Sequence, residues 1–169
     1  MACLICLLLA GCQRAPTYQQ PPAHIPQARL IYTSNALGEN WLGVADGVSS
    51  AILYHSMDIC RRQRPRELGD IQQVSVDQRE SSVVIPATGQ LVVETVWTSS
   101  EGGCLTSQRV FSPKAGVNYR LENNVDLQSG VCSMRLLKQD AASGDFHPTQ
   151  VLVEPETYCA GKTPSALPF

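Results

Sequence analysis

From Ala28 onward the chain offers apolar residues only in short runs, rich in β-branched and aromatic side chains and broken by glycine, asparagine, aspartate and serine. That texture specifies strands, because a helix needs an apolar stripe sustained over roughly ten or more residues. Strands are expected at 28–33, 40–45, 70–76, 82–85, 90–98, 108–111, 117–123, 132–138 and 150–154. Two of these alternate strictly: Leu91, Val93, Thr95 and Trp97 against Val92, Glu94, Val96 and Thr98, and Val117, Tyr119 and Leu121 against Asn118, Arg120 and Glu122. Period two puts one set on a buried face and the other in water, so Glu94 is expected to face solvent. Residues 48–61 fit either a helical face through Val48, Ile52 and Cys60 or a strand. Asp46-Gly47, a strong hairpin signal after Leu42 and Val44, favours the strand. So many short elements point to one all-β domain, a single antiparallel β-sandwich over residues 28–160.

Four of the seven cysteines, Cys60, Cys104, Cys132 and Cys159, lie in this body. Their spacings of 44, 28 and 27 residues contain no Cys-x-x-Cys, which argues against a redox centre or a zinc knuckle. Cys104 with Cys132 is the favoured pair, since the two flank the strands around Phe111 and Asn123. Cys60 with Cys159 would then pin the carboxyl-terminal segment to the sheet, stapling the sandwich twice. The formal charge is −2 with both signs scattered, so no basic stripe for nucleic acid is present. Arg61, Arg62, Arg64 and Arg66 form one local cluster, stiffened by Pro65, and are a candidate binding loop for anionic headgroups or an acidic partner. The acidic loop at Glu101 is a second candidate. His55 and His147 stand 92 residues apart, with no HExxH and no GxSxG elbow. No catalytic residue, metal, cofactor or small-molecule substrate is expected, and the chain is not expected to be an enzyme.

The first twelve residues, MACLICLLLAGC, begin with ten consecutive apolar residues, well short of the roughly 20 that a helix needs to cross a bilayer. They read as an export signal. Leu9-Ala10-Gly11-Cys12 resembles the lipobox of bacterial lipoproteins. The resemblance implies removal of residues 1–11, a diacylglyceryl group on the Cys12 thiol, and fatty acyl chains that together anchor the protein to a membrane. Gln13 after that cysteine resembles the lipoproteins forwarded to the outer membrane. The absence of Lys or Arg before the apolar run departs from the usual signal. Residues 13–27 contain four prolines and four glutamines, and with Cys12 they read as a disordered, extended tether with a reach of about 45 Å in polyproline geometry. Residues 161–169 read as a flexible tail.

Within the body, Ile85-Pro86-Ala87-Thr88-Gly89-Gln90 running into Leu91, and Phe111-Ser112-Pro113-Lys114-Ala115-Gly116-Val117-Asn118-Tyr119, resemble a motif pair of small bacterial lipoproteins with prealbumin-like or immunoglobulin-like β-sandwiches. Each motif joins a Pro and Gly turn to an entering strand, and the resemblance implies that Tyr119 anchors a corner in the core. Thr88 is an insertion relative to the first motif. Such proteins share no common activity, so the resemblance implies fold far more than function. The expected role is a periplasm-facing lipoprotein of the outer membrane that binds protein partners in an envelope assembly. The alternatives are an immunity or inhibitor lipoprotein neutralising a toxin or hydrolase, with the Glu101 or 61–66 loop presented to it, and a structural lipoprotein of a secretion or pilus machine.

Overall fold

Alternating burial along the chain resolves into two facing sheets in the computed structural model, which describes residues 18–39, 45–55, 67–74, 78–100, 102–149, 153 and 159. In β10 (Asn118–Asp126) Tyr119, Leu121, Asn123 and Val125 are buried, and the residues between them are not. The first sheet runs β12 (Phe146–Pro148), β11 (Val131–Gln139), β10, β1 (Gln27–Ser34) and β6 (Glu80–Pro86). The second runs β5 (Glu67–Val74), β4 (Val48–His55), β7 (Leu91–Ser99) and β8 (Gly102–Leu105), and β9 (Arg109–Phe111) also pairs with β7. A two-stranded ribbon of β2 (Gly38–Glu39) and β3 (Ala45–Asp46) stands apart from both. Leu30, Tyr32, Ile85, Leu121 and Leu136 from the first sheet meet Ala51, Leu53, Leu91, Val93 and Phe111 from the second in one core. At about 25 cal/mol per Å² of buried apolar surface, that contact is the main driving force of the fold.

The all-β, two-sheet architecture differs from the expected antiparallel sandwich in the direction of one strand. β1 pairs antiparallel with β6 but parallel with β10, Arg29 opposite Asn118 through Ser34 opposite Asn123, so the sheet is mixed. Side-chain alternation has the same period in either direction and carries no information about which way a neighbour runs. Of the two expected cross-links, the described residues carry one whole disulfide, Cys104–Cys132. Cys60 lies outside the described residues, and Cys159 is in the disulfide state. Nor does a disordered tether run up to residue 27. Ala23 and His24 form a turn, Gln27 Nε2 donates to the Pro22 carbonyl at 3.0 Å, and the Ala87 amide donates to the Pro26 carbonyl at 2.8 Å.

Asp46-Gly47 is not the turn of a hairpin into β4. Both edges of β4 are already taken, by β5 and by β7, and β3 pairs instead with β2. Gly47 is a corner between ribbon and sheet, with φ of 98°. A Cβ there would lie 2.8 Å from the Ala36 carbonyl oxygen, which accepts a 2.7 Å hydrogen bond from Trp97 Nε1. Gly47→Ala should therefore cost about 1–3 kcal/mol, from the positive φ and the displaced carbonyl together. Urea unfolding measures this, and a cost below about 0.5 kcal/mol would show that the corner relaxes freely.

The two Pro and Gly motifs both turn out to be crossings between sheets. Pro86 closes β6 in the first sheet and Leu91 opens β7 in the second; Phe111 ends β9 in the second and Tyr119 lies in β10 of the first. Tyr119 is buried, meets the Phe111 ring edge-on at 5.9 Å, and its hydroxyl accepts the Lys114 amide at 3.0 Å, which fixes the second crossing.

Candidate functional site

Three groupings of polar side chains are built by the described strands. The first lies between the sheets. Ser49 of β4, Thr95 of β7 and Thr106 face Tyr32 of β1 and Asn123 of β10, and all five are buried. Thr95 Oγ1 donates to Asn123 Oδ1 at 2.9 Å, Asn123 Nδ2 donates to Ser49 Oγ at 2.9 Å, and Ser49 Oγ and the Tyr32 hydroxyl share a 2.6 Å hydrogen bond. Thr106 Oγ1 accepts the Thr95 amide at 2.8 Å. Burial pushes the Tyr32 phenol up against the smaller opposing effect of its hydrogen bonds, so it stays a neutral donor at ordinary pH. Every member has a partner and none reaches the surface, and the chemistry available is that of a bolt fixing how the sheets meet.

The second grouping sits on the opposite face of β7. Glu94 is 8% exposed, with Tyr54 donating its hydroxyl to Oε1 and Gln108 Nε2 donating to Oε2 at 3.0 Å. Tyr54, Val92 and Val110 form a small apolar cluster beside it. The expectation that Glu94 faces solvent is thus overturned, because two neutral donors and this second cluster cover the outer face of the sheet here. The third grouping is the outer face of the first sheet. Arg120 stacks on the Phe146 ring at 4.2 Å, and Arg135 bonds Glu122 at 2.7 Å across β10 and β11. The Arg135 end of this pair stands in water, and the bridge contributes little to stability.

The turns at the two ends of β11 are braced by carboxylates. Asp126 accepts the Ser129 hydroxyl and the amides of Gln128 and Ser129, and these hydrogen bonds hold its carboxyl below the usual range. Asp140 does the same for the amides of Ser143 and Ala142. The large apolar side chains left exposed in the described domain are Leu105, Leu127, Val131 and Val153. Three of the four gather around the cross-link. Leu105 and Val131 are the chain neighbours of Cys104 and Cys132, whose Cα atoms are 5.6 Å apart, so their own Cα atoms lie within about 13 Å of each other. Leu127 follows Asp126, which pairs with Val131.

Of the sequence-derived candidates, the disulfide residues Cys104 and Cys132 are together in space. Cys12, Cys60, Arg61, Arg62, Arg64, Arg66 and Glu101 lie outside the described residues. His147 is on β12 at the exposed edge, opposite Lys138, while β4 ends at His55 in the other sheet. The apolar trio was not singled out from sequence, since an isolated leucine or valine in a strand is ordinarily a core residue. Among the described residues no group of three or more His, Cys, Asp or Glu is placed to hold a metal, and no helix is long and apolar enough to cross a membrane. No family model, curated protein or solved structure matches the chain.

Proposed function

We propose that this is an exported lipoprotein, anchored through acyl chains on Cys12 to the periplasmic face of the outer membrane, whose domain binds a protein partner in an envelope assembly. The observation that carries the binding reading is the exposed trio of Leu105, Leu127 and Val131 around a covalent cross-link. Apolar side chains left in water and held rigid are what a partner surface needs, because association then costs little ordering. Two features support export. Leu9-Ala10-Gly11-Cys12 has the chemistry of a lipidation site, and a disulfide of ordinary Cα separation suits an oxidising compartment. The partner would meet the end of the domain where the two sheets are stapled.

Crosslinking of the full-length protein in its own cells, followed by detergent extraction and capture, tests both parts. The expected result is one or a few envelope proteins captured in stoichiometric amounts by the parent. A Leu105→Asp, Leu127→Asp, Val131→Asp variant should still fractionate with membranes and lose at least about 90% of that capture, since removing central apolar anchors from an interface typically costs more than 1.4 kcal/mol. Unchanged capture would overturn the assigned surface. A Cys12→Ser variant should fold and leave the membrane fraction, and continued membrane retention would overturn the anchor.

A further inference from the structure

The start of the described chain is fastened to one corner of the first sheet, and the register of that sheet shows which corner. Arg29 donates its amide to the Val117 carbonyl, so the odd-numbered residues of β1 turn their backbone groups toward β10. The even-numbered ones must then bond β6, and the β6 residues opposite Arg29 and Ile31, which are Val84 and Ser82, turn theirs to the free edge. Pro86 belongs to the same outward set and brings no N–H to that edge. The Val84 carbonyl is taken by Tyr18, whose hydroxyl donates to it at 2.9 Å while its ring packs against the inter-sheet core. Burial pushes the Tyr18 phenol up to about 12, so it remains a donor throughout the physiological range. From there the chain turns at Ala23 and His24 and feeds directly into β1.

Five residues separate Tyr18 from Cys12, and even fully extended the stretch spans only about 20 Å. The cross-link lies diagonally opposite. Val84, Arg29 and Asn118 form one row across the sheet, and Asp126 with Val131 forms another, eight residues further along β10. At about 3.3 Å per residue and 4.8 Å per strand, with β11 three strands from β6, the two corners are about 30 Å apart.

We infer that Tyr18 orients the domain on the membrane, holding the β6 corner against the lipid surface and the Leu105, Leu127 and Val131 corner outward. This rests on the lipid anchor at Cys12. The lipid surface is thus the partner of the β6 edge, and the far corner is the one offered to other proteins. A freely jointed tether from residue 12 to 27 would let that corner stand well off the surface and the domain turn about Gln27.

The test uses the full-length lipidated protein in vesicles of phosphatidylethanolamine and phosphatidylglycerol that carry an acceptor dye on the headgroups. A fluorescent amino acid is placed at Thr88, just past β6, or at Gln128, in the β10–β11 turn; both positions are exposed. Energy transfer is expected to place position 88 nearer the headgroups than position 128, by a difference approaching about 30 Å. Tyr18→Ala should shrink that difference to less than half without changing flotation, because the first fixed point of the chain then moves on to the turn at Ala23 and His24. Equal distances in the parent, with the protein floating on vesicles, would overturn the orientation and leave the anchor standing. A difference undiminished in Tyr18→Ala would overturn the role of Tyr18. Failure to float would overturn the anchor, and the orientation with it.

Discussion

Replacing Cys104 and Cys132 together by alanine is expected to lower the stability of the domain by about 3–4 kcal/mol. The bond joins β8 of one sheet to β11 of the other across a sequence separation of 28 residues, and closing a loop of that size removes about that much conformational freedom from the unfolded chain in the chain-entropy model. The effect should be large because β8 is weakly held otherwise. It has four residues, two of them glycine, and Leu105 beside the cystine is 60% exposed. Urea unfolding reads the change directly: the midpoint should fall, and the slope should rise because the unlinked unfolded chain exposes more surface. A loss below about 1 kcal/mol with an unchanged slope would show that the unfolded chain is compact without the bond. The same variant should weaken partner capture, since Leu105 and Val131 are positioned by the cystine between them.

The second large effect is expected at Asn123, whose side chain makes two of the hydrogen bonds between the two sheets. Asn123→Ala removes both its bond from Thr95 Oγ1 and its bond to Ser49 Oγ, and leaves a cavity at a fully buried site. Truncating a buried group while its partners stay behind costs about 1–3 kcal/mol per stranded polar atom. Thr95 can turn its proton to Thr106 Oγ1, 3.2 Å away, and Ser49 keeps Tyr32, so part of that is recovered. About 2–4 kcal/mol is the expected net loss once the cavity is included. Asn124→Ala, on the opposite face of the same strand, should stay within about 0.5 kcal/mol. A double-mutant cycle with Ser49→Ala should give a coupling of about 0.5–3 kcal/mol, and strict additivity would show that the network is a set of independent contacts.

Most of the strands could be located from the residues, and the physical reasons for the exceptions are specific. Alternation through Tyr119 and Leu121 was enough to identify the buried face of β10, and the resemblance of the motif ending at Tyr119 implied the corner that this residue holds. The direction of β1 was not legible, because its neighbours β6 and β10 arrive from about 50 and 90 residues away and alternation is blind to polarity. β8 was hidden by Gly102-Gly103, which resembles a turn. In the structure Gly103 is a strand residue against which the Trp97 carbonyl closes so tightly that a Cβ would lie 2.6 Å from it. Glu94 misled because charge was weighed without the two neutral donors that a neighbouring strand and the segment after β8 bring to it. The same limit applies to the trio around the cystine. Leu105, Leu127 and Val131 carry no signal individually, and only their gathering at one end of the domain gives them meaning.

Intact-mass analysis of the protein extracted from the membranes of its own cells tests the lipoprotein reading most directly. The expected species begins at Cys12, carries the mass of its acyl chains on that residue, and on digestion yields a Cys104–Cys132 linked peptide. A species that retains residues 1–11, or that begins elsewhere with no acyl mass, would contradict it.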